Sequence, residues 1–289
     1  PAPSAAGMIH VGGKLPLTGL AGSLSMGGFW GAELRFAGFD HLVITGKSFR
    51  PVYLWIHNRE IEIRDAAPFW NADSLAVQDL IRDISDEENA QVMSVGKPGG
   101  DRGAPTDLRT DGEHCREAAE LGMLMMSKNL KAVAVRGTLP IEIKNPDKAL
   151  QHLAELIDLS RLSADRGCPS LTERNDGSPE ESPWLNLYHT LENVFGHSGV
   201  SPHDSAGEDT VRRIFRDECL HAVADALGIG GFPRGLLSPE MPAAGEVYSH
   251  FLAAVTGISS SPEELMRTGE RIVTLERLFD IRERFSLAD

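Results

Sequence analysis

SMGGFWGAELRFAGFDHLVITGKSFRPVYLWIHN, running from Ser25 to Asn58, decides how the remainder of the chain is read. Gly27, Gly28 and Gly31 let a backbone approach something bulky, because a residue without a Cβ accepts dihedrals and contacts that other residues cannot. Ala32, Leu34, Phe36 and Ala37 then predict a helical turn, with Gly38 where a helix C-cap belongs. Two β-type runs follow, Leu42–Thr45 and Val52–Ile56, separated by Gly46 and Pro51. A glycine-lined turn feeding a helix and a sheet suits a flat or phosphorylated ligand, and it suits close packing equally well.

Downstream, Glu60–Asp65 alternates polar and apolar residues and is expected to pair with Val52–Ile56 as a hairpin around Asn58-Arg59. Asn71-Ala72-Asp73-Ser74 opens a helix whose apolar positions are Leu75, Leu80, Ile81 and Ile84. Val92–Val95 reads as a buried strand ending in Gly96-Lys97-Pro98-Gly99-Gly100. With no Walker-type spacing and no helix directly behind it, that glycine run reads as a loop. A methionine-rich helix, Ala118–Met126, precedes the run Ser127–Gly137. Met123, Met125 and Met126 are read as core filler. Upstream, Pro1–Gly22 is Gly- and Ala-rich, with a short apolar patch at Met8–Val11.

From Asn145 the hydrophobic period changes from two to about three and a half. Asn145-Pro146 supplies an N-cap and an N1 proline, and Ala149, Leu150, Leu153, Leu156 and Ile157 form one stripe. Residues 163–182 are polar and rich in Gly and Pro, and read as a loop. A helix over 209–226 carries Val211, Ile214, Phe215 and Leu220. Ser261-Pro262-Glu263-Glu264 is a capping box for a last helix over 265–285. The expected fold is α+β. Residues 1–140 form a mixed β-sheet platform with helices, and residues 141–289 form an all-helical part.

The chain has 289 residues, 41% of them hydrophobic and 24% charged, which is ordinary for a globular protein able to bury a substantial core. Its net charge of −14 argues against direct binding to nucleic acid or to an anionic membrane surface, since both need a dense basic face. No apolar run approaches a membrane span and no signal peptide is visible, so the expected location is the cytoplasm. Three cysteines, Cys115, Cys168 and Cys219, are odd in number and far apart, which suits a reducing compartment.

The order of residues says more than the pattern. GGFWGAELRFAGFDHLVITGK followed by PVYLWI closely resembles the N-terminal domain of the aldehyde ferredoxin oxidoreductases, the tungsten or molybdenum bis-pterin enzymes. The strand piece Ser127–Val135 is close to a family strand, and the last helix is close to its C-terminal signature. The resemblance covers about residues 5–160 and 200–285, and the family's long helical middle has no counterpart.

That resemblance implies oxidation of a small aldehyde to a carboxylic acid at a tungsten or molybdenum pterin centre, with electrons passed to ferredoxin or another iron–sulfur acceptor. It implies that Gly27 and Gly28 lie against the cofactor. Asp225, with Gly228, matches the family's second pterin motif, and Gly230 replaces the motif's cysteine. Glu181, in a Pro-Glu-Glu segment, is the best match to the catalytic acid, and Cys168 falls in the cluster-binding segment. Three cysteines cannot supply the four thiolates of a cubane cluster, so a 4Fe-4S cluster is not expected from this chain alone.

Other family features are altered. Met8 and His10 stand where the family has an arginine and an asparagine, and Arg116–Gly122 replaces a glycine-rich loop, adding Glu117 and Glu120. His10 is read as a hydrogen-bonded packing residue. The alternative reading is a degenerate, non-catalytic relative that acts as a structural subunit or is a fragment.

Overall fold

A computed structural model describes residues 8–97, 108–110, 114–115, 119–164, 208–228 and 243–286. Contacts divide the chain into two units. One comprises Ser4–Glu142, Gly228–Gly230 and Glu276–Asp289, and the other chiefly Ile143–Leu227 and Gly231–Leu275. Each is described by itself.

The first unit begins with a hairpin of β1 (Ile9–Lys14) and β2 (Ala21–Met26), followed by α1 (Trp30–Phe36). Then come β3 (Val52–His57), β4 (Glu60–Asp65), α2 (Ser74–Ser85), β5 (Gln91–Val95), β6 (Leu108–Arg109), β7 (His114–Cys115), α3 (Ala119–Ser127) and β8 (Leu130–Arg136). Six strands form one mixed sheet in the order β4-β3-β8-β5-β6-β7, in which β3 and β8 run parallel and the other neighbours antiparallel. The β3 and β8 sequences are almost wholly apolar because both are buried on two faces.

The pleat divides these residues between two cores. Leu54, Ile56, Val133 and Val135 face Trp30 and Leu34 of α1, Ile9 and Met26 of the hairpin, and Leu121 of α3. Tyr53, Trp55, Ala132 and Ala134 face Phe69 and, from α2, Val77 and Ile81. The result is three layers around one sheet.

Local chemistry sets the boundaries of the elements. The expected hairpin at Asn58-Arg59 forms, with both residues at positive φ (45° and 74°), the condition for a tight turn that matches the strand twist. Gly38, at φ +90°, ends α1 as expected. Asp73 caps α2 by accepting a hydrogen bond from Ala76 N at 2.9 Å.

Three local expectations fail. Leu42–Thr45 is not a strand: Leu42 and Ile44 pack over the first core as irregular chain while Val43 stays exposed. In α2 the buried positions are Val77, Gln78 and Ile81, whereas Leu75, Leu80 and Ile84 face solvent. In the second unit Leu150 and Leu153 are exposed and Ala149 is buried.

The second unit contains α4 (Pro146–Ala164), α5 (Glu208–Ala226), α6 (Ala243–Thr256) and the first part of α7 (Pro262–Ser286). Asn145 caps α4 through Lys148 N (3.1 Å), and the chain entering α4 bonds the end of α6, Asn145 N to Ala254 O at 2.8 Å. The capping box at α7 forms in both directions, Glu264 N to Ser261 Oγ (3.2 Å) and Ser261 N to Glu264 Oε2 (2.8 Å). The α+β class is therefore observed: a mixed sheet with helices, followed by a mostly helical C-terminal part. No helix among the described residues is long and apolar enough to cross a membrane.

Candidate functional site

The hairpin of β1 and β2 has two differently built ends. At its turn, two acids from the end of α7 hold it: Asp280 accepts from Ala21 N at 2.7 Å, and Glu283 pairs with Lys14. The Lys14 ammonium, with the Arg282 guanidinium behind it, holds the Glu283 carboxyl below its usual range.

The open end carries the glycines. Ile9 pairs with Met26, so Met8 and Gly27 are the next residues on either strand. Gly27 is buried, and its carbonyl accepts from Thr110 Oγ1 at 3.4 Å. Gly28 follows at φ +105°, a conformation that L side chains rarely adopt, and turns the chain into α1. Gly228, at φ +67°, closes the C-terminal end of α5, and a Cβ built on it would stand 3.2 Å from the Met8 carbonyl oxygen. Three residues expected at a cofactor, Gly27, Gly28 and Gly228, thus reach the same end of one hairpin. Nothing in composition or periodicity could have found the approach of Gly228 to Met8, because it joins segments 220 positions apart.

The remaining expected residues are placed differently. Asp225 is half-buried in the last turn of α5, in the second unit. Cys168, Glu181, Glu117 and Gly230 lie outside the described residues. His10 makes the expected hydrogen-bond contact, its Nδ1 3.1 Å from Ser25 Oγ, but it is exposed rather than packed. Met125 and Met126 pack against the first core, also as expected.

Side chains of the chain itself occupy other glycine faces of the hairpin. A Cβ on Gly13 would meet Leu124 Cδ2 of α3 at 2.5 Å, and one on Gly22 would meet Leu15 at 2.3 Å. Glu120, at the start of α3, has a buried carboxylate oxygen with no hydrogen-bond partner among the described residues. Among the described residues no three His, Cys, Asp or Glu side chains come together as a metal site.

Lys131 is a cation that the sequence reading left unremarked. It is fully buried in β8, and its ammonium donates to Ala72 O (2.8 Å) and Gly96 O (2.7 Å). Val52 faces Leu130 and Tyr53 faces Ala132, so Lys131 is the extra residue of a bulge. A lone charged residue inside the apolar run Leu130–Val135 was the available signal that it must be internally satisfied.

The two halves match family models over almost their whole length. Residues 1–137 match the aldehyde ferredoxin oxidoreductase N-terminal domain, and residues 158–289 match domains 2 and 3 of the same enzymes. The chain belongs to the aldehyde ferredoxin oxidoreductase family. Its relatives in that family include the tungsten-containing aldehyde ferredoxin oxidoreductase of Pyrococcus furiosus, 35% identical over 155 residues, which cover 54% of this chain and 26% of that protein. The Pyrococcus abyssi protein of the same description is 34% identical over 145 residues, 50% of this chain and 24% of that one. A P. furiosus aliphatic sulfonate oxidoreductase, WOR-like subunit, is 32% identical over 183 residues, 57% of this chain and 29% of that one.

Among solved structures, the active-site complex BamBC of benzoyl coenzyme A reductase, in complex with 1,5-dienoyl-CoA, aligns with a TM-score of 0.50 at 30% identity. That alignment covers 61% of this chain and 26% of that one. The chain spans about half the length of the curated relatives it matches.

Against the cofactor that the family implies, the match is one of backbone. The open hairpin end offers two positive-φ glycines, Gly28 and Gly228, and a buried Gly27, where a Cβ-free surface lets a flat ring system approach. The charged grip of the family is not reproduced at Met8 and His10.

Proposed function

We propose that this chain is the pterin-platform part of an aldehyde:ferredoxin-type oxidoreductase, acting in the oxidation of a small aldehyde to its carboxylic acid. The reaction takes up water and releases two electrons and two protons, the electrons passing to an iron–sulfur acceptor such as ferredoxin. The observation that carries this reading is the meeting of Gly27, Gly28 and Gly228 at one end of the β1–β2 hairpin.

When bound, a tungsten or molybdenum bis-pterin supplies the two-electron chemistry, and its own dithiolene sulfurs hold the metal, so the protein need not provide a ligand cluster. Gly27, Gly28 and Gly228 provide close backbone approach. Asp225 accepts hydrogen bonds from pterin N–H groups, a task for which a carboxylate is the strongest neutral-pH acceptor. Glu181 serves as the proton acceptor for the aldehyde hydrate. Cys168 is at most one of several cluster ligands, and a partner subunit supplies the rest together with the missing positive grip. The relatives named as a subunit and as a complex support a partnered arrangement.

A second reading is favoured by one observation: Leu15 and Leu124 fill the other glycine faces of the hairpin, and Glu120, four residues before Leu124 on α3, has a buried carboxylate oxygen. On that reading the chain is a non-catalytic structural subunit. Metal analysis separates the two. Anaerobically purified protein from cells supplied with tungstate and molybdate is expected to hold tungsten or molybdenum at about one atom per chain, with extractable pterin. Metal-free, pterin-free protein that remains folded overturns the first reading and leaves the second.

A further inference from the structure

We propose that β4 is a self-association edge, through which two copies of this chain pair antiparallel about a twofold axis at Ile63. Among the described residues β4 is the outermost strand of the six-stranded sheet and carries a ladder partner on one side only. The hairpin register decides which of its backbone groups are outward. Ala66 N donates to Pro51 O at 3.0 Å, and His57 and Glu60 close the two-residue turn. Even-numbered residues of β4 therefore direct their N–H and C=O at β3, and Ile61, Ile63 and Asp65 direct theirs away from the sheet.

The side chains fit the same partner. Ile61 and Ile63 lie on the face shared with Leu54 and Ile56, yet they are 44% and 71% exposed. Centring the axis on Ile63 sets Ile63 against Ile63 of the second copy. It also sets Glu62 against Arg64 of the second copy, twice over. All three outward residues then find ladder partners, Ile61 with Asp65 and Ile63 with Ile63, and no like charges stand directly opposite.

Moving the axis by one residue, to Glu62, places two glutamates face to face, which is unfavourable. Within one copy Arg64 Nε lies 2.8 Å from Glu62 Oε2 and its guanidinium sits 4.9 Å over the Trp55 ring, so both charges stand on the same face of β4. Charges on a sheet edge ordinarily prevent pairing. Here their order along Glu62-Ile63-Arg64 permits it in one register and with its own kind. That self-complementarity is what a twofold interface requires, and it selects a second copy over an unrelated strand.

Sedimentation of the 289-residue chain tests this from about 1 to about 200 μM, the range in which small interfaces dissociate. A monomer–dimer equilibrium is expected that Ile63→Lys weakens by about tenfold or more, with unchanged circular dichroism. Should lysine disturb the strand, Ile63→Thr is expected to act in the same direction. Arg64→Glu is expected to weaken the dimer, and Glu62→Arg with Arg64→Glu to restore it. Under mild oxidation Ile63→Cys is expected to form a symmetric cross-link, since directly opposed residues meet disulfide distances, and Ile61→Cys is not. A monomer at every concentration, a dimer indifferent to Ile63→Lys, or equal cross-linking at both positions overturns the proposal. The first of these outcomes leaves the edge to a different chain.

Discussion

Gly137 lies so close beneath the last turn of α1 that a Cβ built on it would stand 2.2 Å from the backbone nitrogen of Ala37. The same Cβ would be 2.2 Å from the Phe36 carbonyl carbon and 2.6 Å from Glu33 O, so no side-chain rotation relieves the overlap. The approach is held by Glu33 Oε1, which accepts from Gly137 N at 2.9 Å and from Arg136 Nη1 at 2.7 Å. Gly137→Ala is expected to destabilise the first unit by about 3 kcal/mol or more, because α1 must lift off the sheet. Denaturant unfolding checks it, and a loss under about 1 kcal/mol would show that the helix can yield.

Lys131 ties two loops to the middle of the sheet. Lys131→Met keeps the length of the side chain and removes both hydrogen bonds, leaving Ala72 O and Gly96 O without that donor. Roughly 2–4 kcal/mol of stability is expected to be lost, since hydrogen bonds to charged groups are the stronger kind. The measurement is a thermal or urea midpoint. An unchanged midpoint would mean that the apolar replacement packs as well as the ion.

The cap of α2 titrates. The Ala76 N–H holds the Asp73 carboxyl below its ordinary value of 3.8. A carboxylate depressed in the folded state contributes stability that is present above the unfolded value and fades as pH falls through the folded one. Asp73→Ala is therefore expected to cost about 1 kcal/mol near neutral pH. The gap between variant and parent is expected to close as the pH is brought well under 3.8, which paired pH-dependent melts record. A gap that persists in acid contradicts the capping account.

Gly228→Ala probes the open end of the hairpin. A side chain at φ +67° costs about 1–2 kcal/mol, and its Cβ would press on the Met8 carbonyl at 3.2 Å. A modest fall in melting temperature is expected for the protein as purified. If the proposed cofactor is bound there, its content per chain falls as well, measured by metal analysis on the folded fraction. Unchanged content with lowered stability separates a packing glycine from a cofactor-contacting one.

These positions show what the sequence exposes and what it hides. The β3–β4 hairpin, the α1 cap at Gly38 and the α7 capping box were legible because each depends on residues a few positions apart. β2 was not, because Ala21-Gly-Ser-Leu-Ser-Met26 has weak strand propensity and becomes a strand only by pairing with Ile9–Lys14. Leu42–Thr45 misled in the opposite way: it has strand composition, yet it covers the core as irregular chain. In α2, Leu75, Leu80 and Ile84 compete with Val77 and Ile81 for the sheet, and only the tertiary packing selects between them. The glycines of the candidate site could be picked out singly through family likeness. Their convergence depends on Gly228 meeting Met8, a contact that no local pattern encodes.

Asp280 and Glu283 give the order of events during synthesis a particular form. A ribosome releases the β1–β2 hairpin long before it makes the acid, 259 residues later, that fastens Ala21. The hairpin must therefore wait, unclasped, for a segment made 259 residues after it. Translation that stops short of Asp280 would yield a sheet whose entry hairpin has no latch, and such nascent products are expected to be the ones proteases remove first.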